Sequence, residues 1–532
     1  MAEKMADAVA RITKDPRFIR NICTSAHIHH GKCISGNSRV MLADGSIKTA
    51  REIYEKVSNE GQVYRENEEC TVFIPKEEIN IFSLNKNTRK IEKKPVQFVW
   101  RLNGGKTIKI SLRNGFEIAT TPEHKYIAYR DGFADVEARD LRIGDRVVCA
   151  RKLENYNANE NIKSKILRKL SEKNFYVNLD KEFSKILKQK ILDYGIKNIS
   201  TAVKPKSFYH GIWQNRYNLK DLINLAEIFS IDLNLLYNKI DFIFFRTGKQ
   251  RGHNSLMIKP PQNFNDFFYL AGLFTGDGSG KKFIVGKEEL ASEAEKICED
   301  MKIKTKRVLR SDRTPELHTN LTIIQIFNSL FEYPLKQKSH NVKISKFLFE
   351  SKDENVAKFL SGYFDTDGCV EKSRSAVTIS SASKKMIDDL HLLLLRFGCI
   401  SIKEKDNTIT ISGISAINFQ KSIGFGLKEK AEKLSSLVQK VSGSTVCDIV
   451  PSGNQLLFVK GKLSEMASQE LAYVEVKKIE SGFEEIVYDF TIPDNHNFIA
   501  EGMVIHNTAF TDNLLAAAGH MASKYAGDLE EG

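Results

Sequence analysis

A phosphate-binding loop broken in two constrains this chain more than any other feature. Residues 26–32 read AHIHHGK. Such a loop cradles phosphate on its backbone, follows with Lys, and then needs a Ser or Thr hydroxyl. Here Cys33 comes next, and the hydroxyl reappears only at Thr508, immediately after Asn507. Joining Lys32 to Thr508 gives AHIHHGKTAFTDNLLAAAG. That reads as strand, loop and helix: Ile22–Ala26 is a short apolar run, and Phe510, Leu514, Leu515 and Ala518 fall on related helical faces. Residues 33–507 therefore have to fold so that their two ends meet.

At 532 residues the chain is too long for one ordinary core and implies several domains. Turn signals at Asp44-Gly45, Asn103-Gly104-Gly105, Asn114-Gly115 and Gly144-Asp145 punctuate short alternating runs over residues 33–152, which read as a β domain. Residues 153–258 read as a helical, Lys- and Asn-rich insert, residues 259–440 as long apolar helices alternating with short strands, and residues 441–507 as a linker that returns to strands. The net charge of +13 suggests nucleic acid or another anionic surface as partner. The eight cysteines include no C-x-x-C pair, which speaks against a zinc ribbon and points to a reducing compartment. No segment approaches 18 continuous apolar residues, so neither secretion nor membrane spanning is expected, and the expected location is the cytoplasm.

The boundary residues carry chemistry. Cys33 opens the inserted stretch with a nucleophilic thiol, Asn507 closes it with an amide able to cyclise, and Thr508 places a hydroxyl just beyond. CISGNSRVMLADG, GFEIATTPEHKYIAY with Thr121 and His124, DLRIGDRVVCAR, and VYDFTIPDNHNFIAEGMVIHNT together resemble the Hedgehog/intein fold. The resemblance implies autocatalytic protein splicing that excises residues 33–507 and joins Lys32 to Thr508, with no cofactor. It implies roles as well: Cys33 attacks the Lys32 carbonyl, and His124, with Thr121 orienting its loop, polarises the scissile amide. Asp489 coordinates the two splice sites, His506 and His496 assist the cyclisation of Asn507, and Thr508 takes over the acyl group.

The middle contains a repeat. FYLAGLFTGDGSG and FLSGYFDTDGCVE share an apolar run, small residues and Asp-Gly at one offset, with Asp277 and Asp367 90 residues apart. The helical rows Ala271/Thr275 and Gly272/Gly276, and Ser361/Asp365 and Gly362/Thr366, carry small or short side chains that let two helices approach closely. LAGLFTGDG and LSGYFDTDG resemble the paired motifs of LAGLIDADG homing endonucleases. That implies an α+β, two-repeat, metal-dependent nuclease for double-stranded DNA at the host-gene insertion site. Asp277 and Asp367 would hold Mg²⁺ and Lys421 would serve as a nearby base or phosphate ligand. Lys302, Lys304, Lys306, Arg307, Arg310 and Arg313 form a backbone-contact stretch, and Arg246, Lys249 and Arg251 could extend it. A relic that keeps fold and DNA affinity without turnover is the alternative.

The joined ends resemble archaeal and eukaryotic translation elongation factor 2, whose usual form is AHIDHGKT, with His29 here in place of Asp. That implies GTP held by a loop containing Gly31, Lys32 and Thr508, and the ribosome as partner, only in the complete joined host. The fold class expected is therefore multidomain: an all-β splicing domain interrupted by the endonuclease, with short host GTPase fragments at 1–32 and 508–532, acting as a monomer. A plain guanine-nucleotide-binding factor and a non-catalytic DNA-binding protein are the competing classes.

Overall fold

Residues 32–130, 132–154, 161–199, 211–247, 257–284, 286–309, 314–442 and 470–507 are described by the computed structural model. Residues 1–31 and 508–532 of the host segments, with Gly31 and Thr508 among them, and Lys249, Arg251, Arg310, Arg313 and most of the expected linker lie outside the described residues.

Short alternating runs form the first strands: β1 (Ile34–Ser35), β2 (Arg39–Met41), β3 (Ile47–Thr49), β4 (Gln62–Glu66), β5 (Cys70–Ile74), β6 (Asn80–Asn85), β7 (Lys90–Pro95), β8 (Phe98–Leu112), β9 (Glu117–Thr120), β10 (Lys125–Tyr129), β11 (Phe133–Glu137) and β12 (Arg146–Ala150). One helix, α1 (Ala50–Glu60), starts at a Thr49/Glu52 capping box, which satisfies backbone donors at its N-terminus. Gly45, Gly115 and Gly144 take positive φ and make the expected turns. Asn103–Gly105 does not turn. It runs straight within β8, and a Cβ at Gly104 would overlap the Glu484 carbonyl of the facing strand. The glycine is there for close backbone approach, not for a bend.

Residues 161–258 depart from the helical expectation. Helices α2 (Ile162–Ser171), α3 (Lys181–Tyr194), α4 (Leu219–Ile228) and α5 (Leu233–Asn238) surround a three-stranded antiparallel sheet of β13 (Phe175–Leu179), β14 (Tyr217–Asn218) and β15 (Ile240–Phe245), in the order β14-β13-β15. Its buried side chains belong to the same hydrophobic cluster as those of residues 267–437, and Ile243 bridges Ile258 at the expected domain boundary. The insert and the following segment thus share one core.

The sequence repeat is a structural repeat. Helix α6 (Phe264–Asp277) leads into β16 (Gly278–Ser279), β17 (Lys282–Ile284), α7 (Glu288–Asp300), β18 (Lys306–Val308) and β19 (Glu316–His318), with α8 (Leu321–Leu330) behind. Helix α9 (Asp353–Asp367) leads likewise into β20 (Gly368–Glu371), β21 (Ala376–Ser380), α10 (Lys384–Leu393), β22 (Ile402–Lys403) and β23 (Thr408–Ser412), followed by α11 (Gly413–Ser422) and α12 (Lys428–Ser442). The four-stranded sheets run β16-β17-β19-β18 and β20-β21-β23-β22, the same order in each half. Helices α6 and α9 pack backbone to backbone: a Cβ on Gly272 would strike the Phe359 carbonyl, and one on Gly362 the Tyr269 carbonyl.

The chain then re-enters the β module through β24 (Leu471–Thr491), β25 (Asn497–Ala500) and β26 (Met503–His506). The large sheet runs β3-β2-β25-β26-β10-β12-β24-β1-β9-β8-β5-β4, with β11 on β10. Strands from both ends of the insertion are interleaved, so neither end can complete this sheet alone. Leu392, Leu395 and Ile400 of the helical module sit in the β-module core, and Arg39 bridges Glu501 (2.8 Å) and Asp389 (3.4 Å) across the two modules. Among the described residues no helix is long and apolar enough to cross a membrane.

Candidate functional site

Strand β1 is only two residues long, yet it is held on both sides. Ile34 pairs with Tyr488 on β24 and with Thr120 on β9. Continuing those antiparallel registers by one residue sets Cys33 between Asp489 and Thr121. The Cys33 N–H donates to Thr121 Oγ1 at 3.1 Å, and the Thr121 N–H donates to the Cys33 carbonyl at 3.0 Å. Cys33 is 1% exposed. Burial first, and then the Asp489 charge, push its thiol well above the ordinary range. The resting nucleophile is therefore a protonated thiol, and attack requires proton removal at that moment. Asp489 is fully buried and accepts from the Phe490 N–H at 2.8 Å.

His124 is fixed through its backbone: its N–H donates to the Thr121 carbonyl (3.1 Å) and its carbonyl accepts from Ala138 (2.8 Å). The ring is fully buried against the Lys32 and Cys33 backbone, within polar reach of both but short of hydrogen-bond geometry, so both ring nitrogens are unpartnered. Burial, reinforced by the neighbouring His506 and Lys32, lowers its pKa to about 3. A neutral imidazole thus stands beside the Lys32–Cys33 peptide bond at physiological pH, able to donate through one nitrogen and accept through the other.

The other end arrives on the β25–β26 hairpin. Tyr126 pairs with Ile505, and the same register continued sets His124 across from Asn507. The Asn507 N–H donates to the His496 carbonyl and its Nδ2 to the Ile492 carbonyl, both at 3.2 Å, while Oδ1 is buried without a partner. His496 has φ +52°, and its Nδ1 is buried without a partner. It meets Asn507 through its main chain. His506 places Nε2 2.7 Å from Asp135 Oδ1 and 3.3 Å from Lys86 Nζ. Neither Asp135 nor Lys86 was marked by the sequence motifs. The pocket brings Lys32, Cys33, Thr121, His124, Asp489, His496, His506 and Asn507 to one end of the sheet.

A model of the intein splicing domain matches residues 40–507. The chain belongs to that family. The intein resembles an elongation factor 2 of Methanopyrus kandleri, with 31% identity covering 99% of this chain and 46% of that protein. It also resembles a probable translation initiation factor IF-2 of Methanocaldococcus jannaschii, with 30% identity covering 79% of this chain and 35% of that protein. The chain thus spans less than half the length of either relative. Among solved structures, the crystal structure of PabCDC21-1 intein aligns at 25% identity and a TM-score of 0.21, covering 22% of this chain and 72% of that one.

The intein carries a second cluster where α6 and α9 converge. Asp277 and Asp367 end these helices, and a Cβ on Gly276 would overlap Thr366. Asp367 is open to water on one side and enclosed by protein on the others. That partial desolvation, then the Asp277 charge, push its carboxyl up to about 6; burial raises Asp277 as well. Two lysines oppose the shift. Lys338 Nζ donates to the Thr275 carbonyl (2.9 Å) and to that of Gly276; Lys430 Nζ donates to the carbonyls of Asp365 (2.6 Å) and Gly368 (2.6 Å). Each lysine thus satisfies the carbonyl end of one helix, where positive charge is favoured. Lys421 does not occupy this place. It is exposed near the end of α11, and the cations that act on the acids are Lys338 and Lys430. Among the described residues no group of three or more His, Cys, Asp or Glu could hold a metal ion, so the acids form a pair and no more.

Of the expected DNA-contact residues, Lys302, Lys304 and Lys306 are exposed. Arg307 is also exposed but committed elsewhere: it pairs with Glu295 at 2.6 Å and with Glu288, both on α7. Arg246 stacks over the Tyr176 ring, 4.8 Å from its centroid.

Proposed function

We propose that residues 33–507 excise themselves and join Lys32 to Thr508. The observation that carries this reading is His124 standing against the Lys32–Cys33 bond while in register with Asn507. Cys33 Sγ attacks the Lys32 carbonyl carbon, the C–N bond to Cys33 breaks, and the thiol proton passes to the freed amine. Asp489 is placed to receive that proton and His124 to deliver it. The Thr508 hydroxyl then attacks the thioester, and Cys33 leaves as a thiol. Asn507 Nδ2 next attacks its own backbone carbonyl, forming a cyclic imide and releasing residue 508. A final shift of the acyl group from oxygen to nitrogen restores a peptide bond. Because every step is intramolecular, alignment of the reacting groups contributes about 7–11 kcal/mol. The test is the mass spectrum of the expressed chain: two species, residues 33–507 and residues 1–32 fused to 508–532. A Cys33→Ala, Asn507→Ala double variant at full precursor mass, beside a wild type also at precursor mass, ends the reading.

The acid pair supports a second activity, a LAGLIDADG-type cleavage of double-stranded DNA at the uninterrupted host gene. Asp277 and Asp367 fit a Mg²⁺ ion: both are carboxylates, their charges repel one another, and they lie at helix ends that disfavour negative charge. Bound there, the ion supplies charge stabilisation at a phosphodiester and activation of water. Burial lowers the Lys338 and Lys430 pKa values and the nearby acids work against that, so both lysines are electrostatically coupled to the acid pair. Lys302, Lys304 and Lys306 contact the DNA backbone. Loss of DNA cutting in Asp277→Asn with splicing retained is the expected result, and retained cutting overturns it.

The likeness to elongation factor 2 supports a host of that kind. The joined loop containing Gly31, Lys32 and Thr508 would bind GTP, and the ribosome would be the complete host's partner, in the cytoplasm. The intein itself needs no second copy for either activity.

A further inference from the structure

His506 is gripped by two residues that the splicing scheme leaves without a role. Asp135 Oδ1 lies 2.7 Å from His506 Nε2, and Lys86 Nζ lies 2.7 Å from that same oxygen. Lys86 can only donate. The pattern that satisfies all three groups has Nε2–H donating to Asp135, with Lys86 donating to the same carboxylate. Nδ1 of a neutral His506 is then the nitrogen with the lone pair.

The element that carries Lys86 is fastened to the splice junction. Asn497 pairs directly with His506. Its Oδ1 accepts from the Leu84 N–H (2.7 Å), its Nδ2 donates to the Leu84 carbonyl (2.8 Å), and its backbone carbonyl accepts from Ser83 Oγ (2.8 Å). The turn beyond β6 is closed by Asn85 Oδ1, which accepts from the N–H groups of Asn87 (3.0 Å) and Thr88 (3.1 Å). The β6–β7 hairpin is therefore clamped on β25, the strand paired with the one that leads into Asn507, with Lys86 at its tip.

We propose that Asp135 and Lys86 are positioning residues for the cyclisation of Asn507, acting through His506: Asp135 holds the ring and its tautomer, and Lys86 balances the carboxylate's charge. This rests on the splicing reading. In that step the Asn507 Nδ2–C bond forms, the bond from that carbon to the residue-508 nitrogen breaks, and one proton moves from Nδ2 to the leaving nitrogen. A neutral His506 with its lone pair on Nδ1 can accept that proton and return it; an imidazolium cannot accept it. The charged and titratable groups facing His506 are Asp135, Lys86, Lys32 and His124. Burial lowers the His506 pKa, Asp135 works against that, and Lys86 and Lys32 reinforce it.

The test uses the full-length precursor with Cys33→Ala, in which only C-terminal cleavage proceeds, followed by mass spectrometry across a pH series. Asp135→Asn should slow cleavage by on the order of 100-fold, the lower end of what a positioned general acid or base contributes. Asp135→Glu should recover part of the loss. Lys86→Met should move the acidic fall-off to higher pH, because removing the cation makes His506 easier to protonate, whereas Lys86→Arg should leave it in place. An ion pair this exposed adds little stability, so the variants should fold. As a control, Asp135→Asn with Asn507→Ala should form the Cys33 thioester, released by added thiol, at the parent rate. C-terminal cleavage within twofold of the parent, or equal loss at both junctions, overturns the proposal alone. A parent that cleaves at neither junction overturns the splicing reading and the proposal with it.

Discussion

Cys33, His124 and Asn507 are almost wholly buried, whereas Asp277 is half-buried and Asp367 is open to solvent. The contrast follows from where each substrate comes from. In the splice pocket the substrate is the chain itself, folded in with the sheet, so no entrance is needed and dehydration is set during folding. Burial then does the electrostatic work, holding the Cys33 thiol and the His124 ring uncharged until reaction. At the acid pair the substrate of the proposed DNA cleavage would come from outside. The carboxylates stay reachable, and Lys338 and Lys430 offset their repulsion.

The largest effect should separate the two regions outright. Asn507→Ala should stop release of the C-terminal segment, leaving at most a branched or N-terminally cleaved species in the mass spectrum, while DNA cutting continues at the parent rate. In the opposite direction, Asp367→Asn should lower DNA cutting by on the order of 1,000-fold, since charge stabilisation in phosphoryl chemistry is the main catalytic term, with excision unchanged. Parallel loss of both activities in either variant would mean that the modules do not act separately.

A smaller effect concerns His124. Its replacement by Gln should slow thioester formation by about 100- to 10,000-fold, the usual contribution of a positioned acid or base. The pocket's dryness also gives a pH signature. The folded His124 binds a proton only below about 3, whereas the unfolded chain binds it below its ordinary value of 6.5. Between these values the unfolded state holds more protons, so stability falls as pH drops through that window. Tm measured on a non-splicing Cys33→Ala, Asn507→Ala precursor should fall on acidification, and adding His124→Gln should make the fall shallower. An unchanged slope would mean that the ring is hydrated and the pocket open.

Packing offers a third comparison. Gly272→Ala drives a methyl into the Phe359 carbonyl. It should cost about 1–3 kcal/mol, the range for overpacking, read as a lower urea midpoint and a loss of DNA cutting. Excision should persist under native conditions, because the splice pocket lies in the other core.

Much of this was legible in the chain. The junction residues and the T-x-x-H loop could be found because they stand at fixed places around a broken motif, and the Gly272/Gly362 contact because small residues recur at helical spacing. Other features depend on register or packing that no local pattern encodes. Asp135 lies in an ordinary alternating strand and Lys86 in an Asn-rich turn; only the β10–β26 and β10–β11 pairings bring Asp135 to His506. Lys338 and Lys430 are set by the carbonyls they cap, which favoured them over Lys421 for reasons of tertiary structure. The Asn103–Gly105 stretch has turn composition, but the facing β24 strand excludes a Cβ and keeps it extended.

The smallest effect tests which side of the first repeat's sheet meets DNA. Lys306 pairs with His318, which in turn pairs with Lys282, so these side chains share one face. Arg307 pairs with Leu317 and through it with Phe283, both fully buried, and so points toward α7 and its carboxylates. Lys306→Ala should therefore weaken DNA binding on all sequences alike and reduce the salt slope by about 1, the signature of one lost phosphate contact. Arg307→Ala should leave both unchanged, because its charge is already satisfied by Glu288 and Glu295. Salt titrations of binding in Ca²⁺, with no cutting, measure both variants side by side. If Arg307→Ala carries the larger slope change, the DNA-facing side of the sheet is the one that packs on α7 here, and the contact surface assigned to Lys306 is wrong.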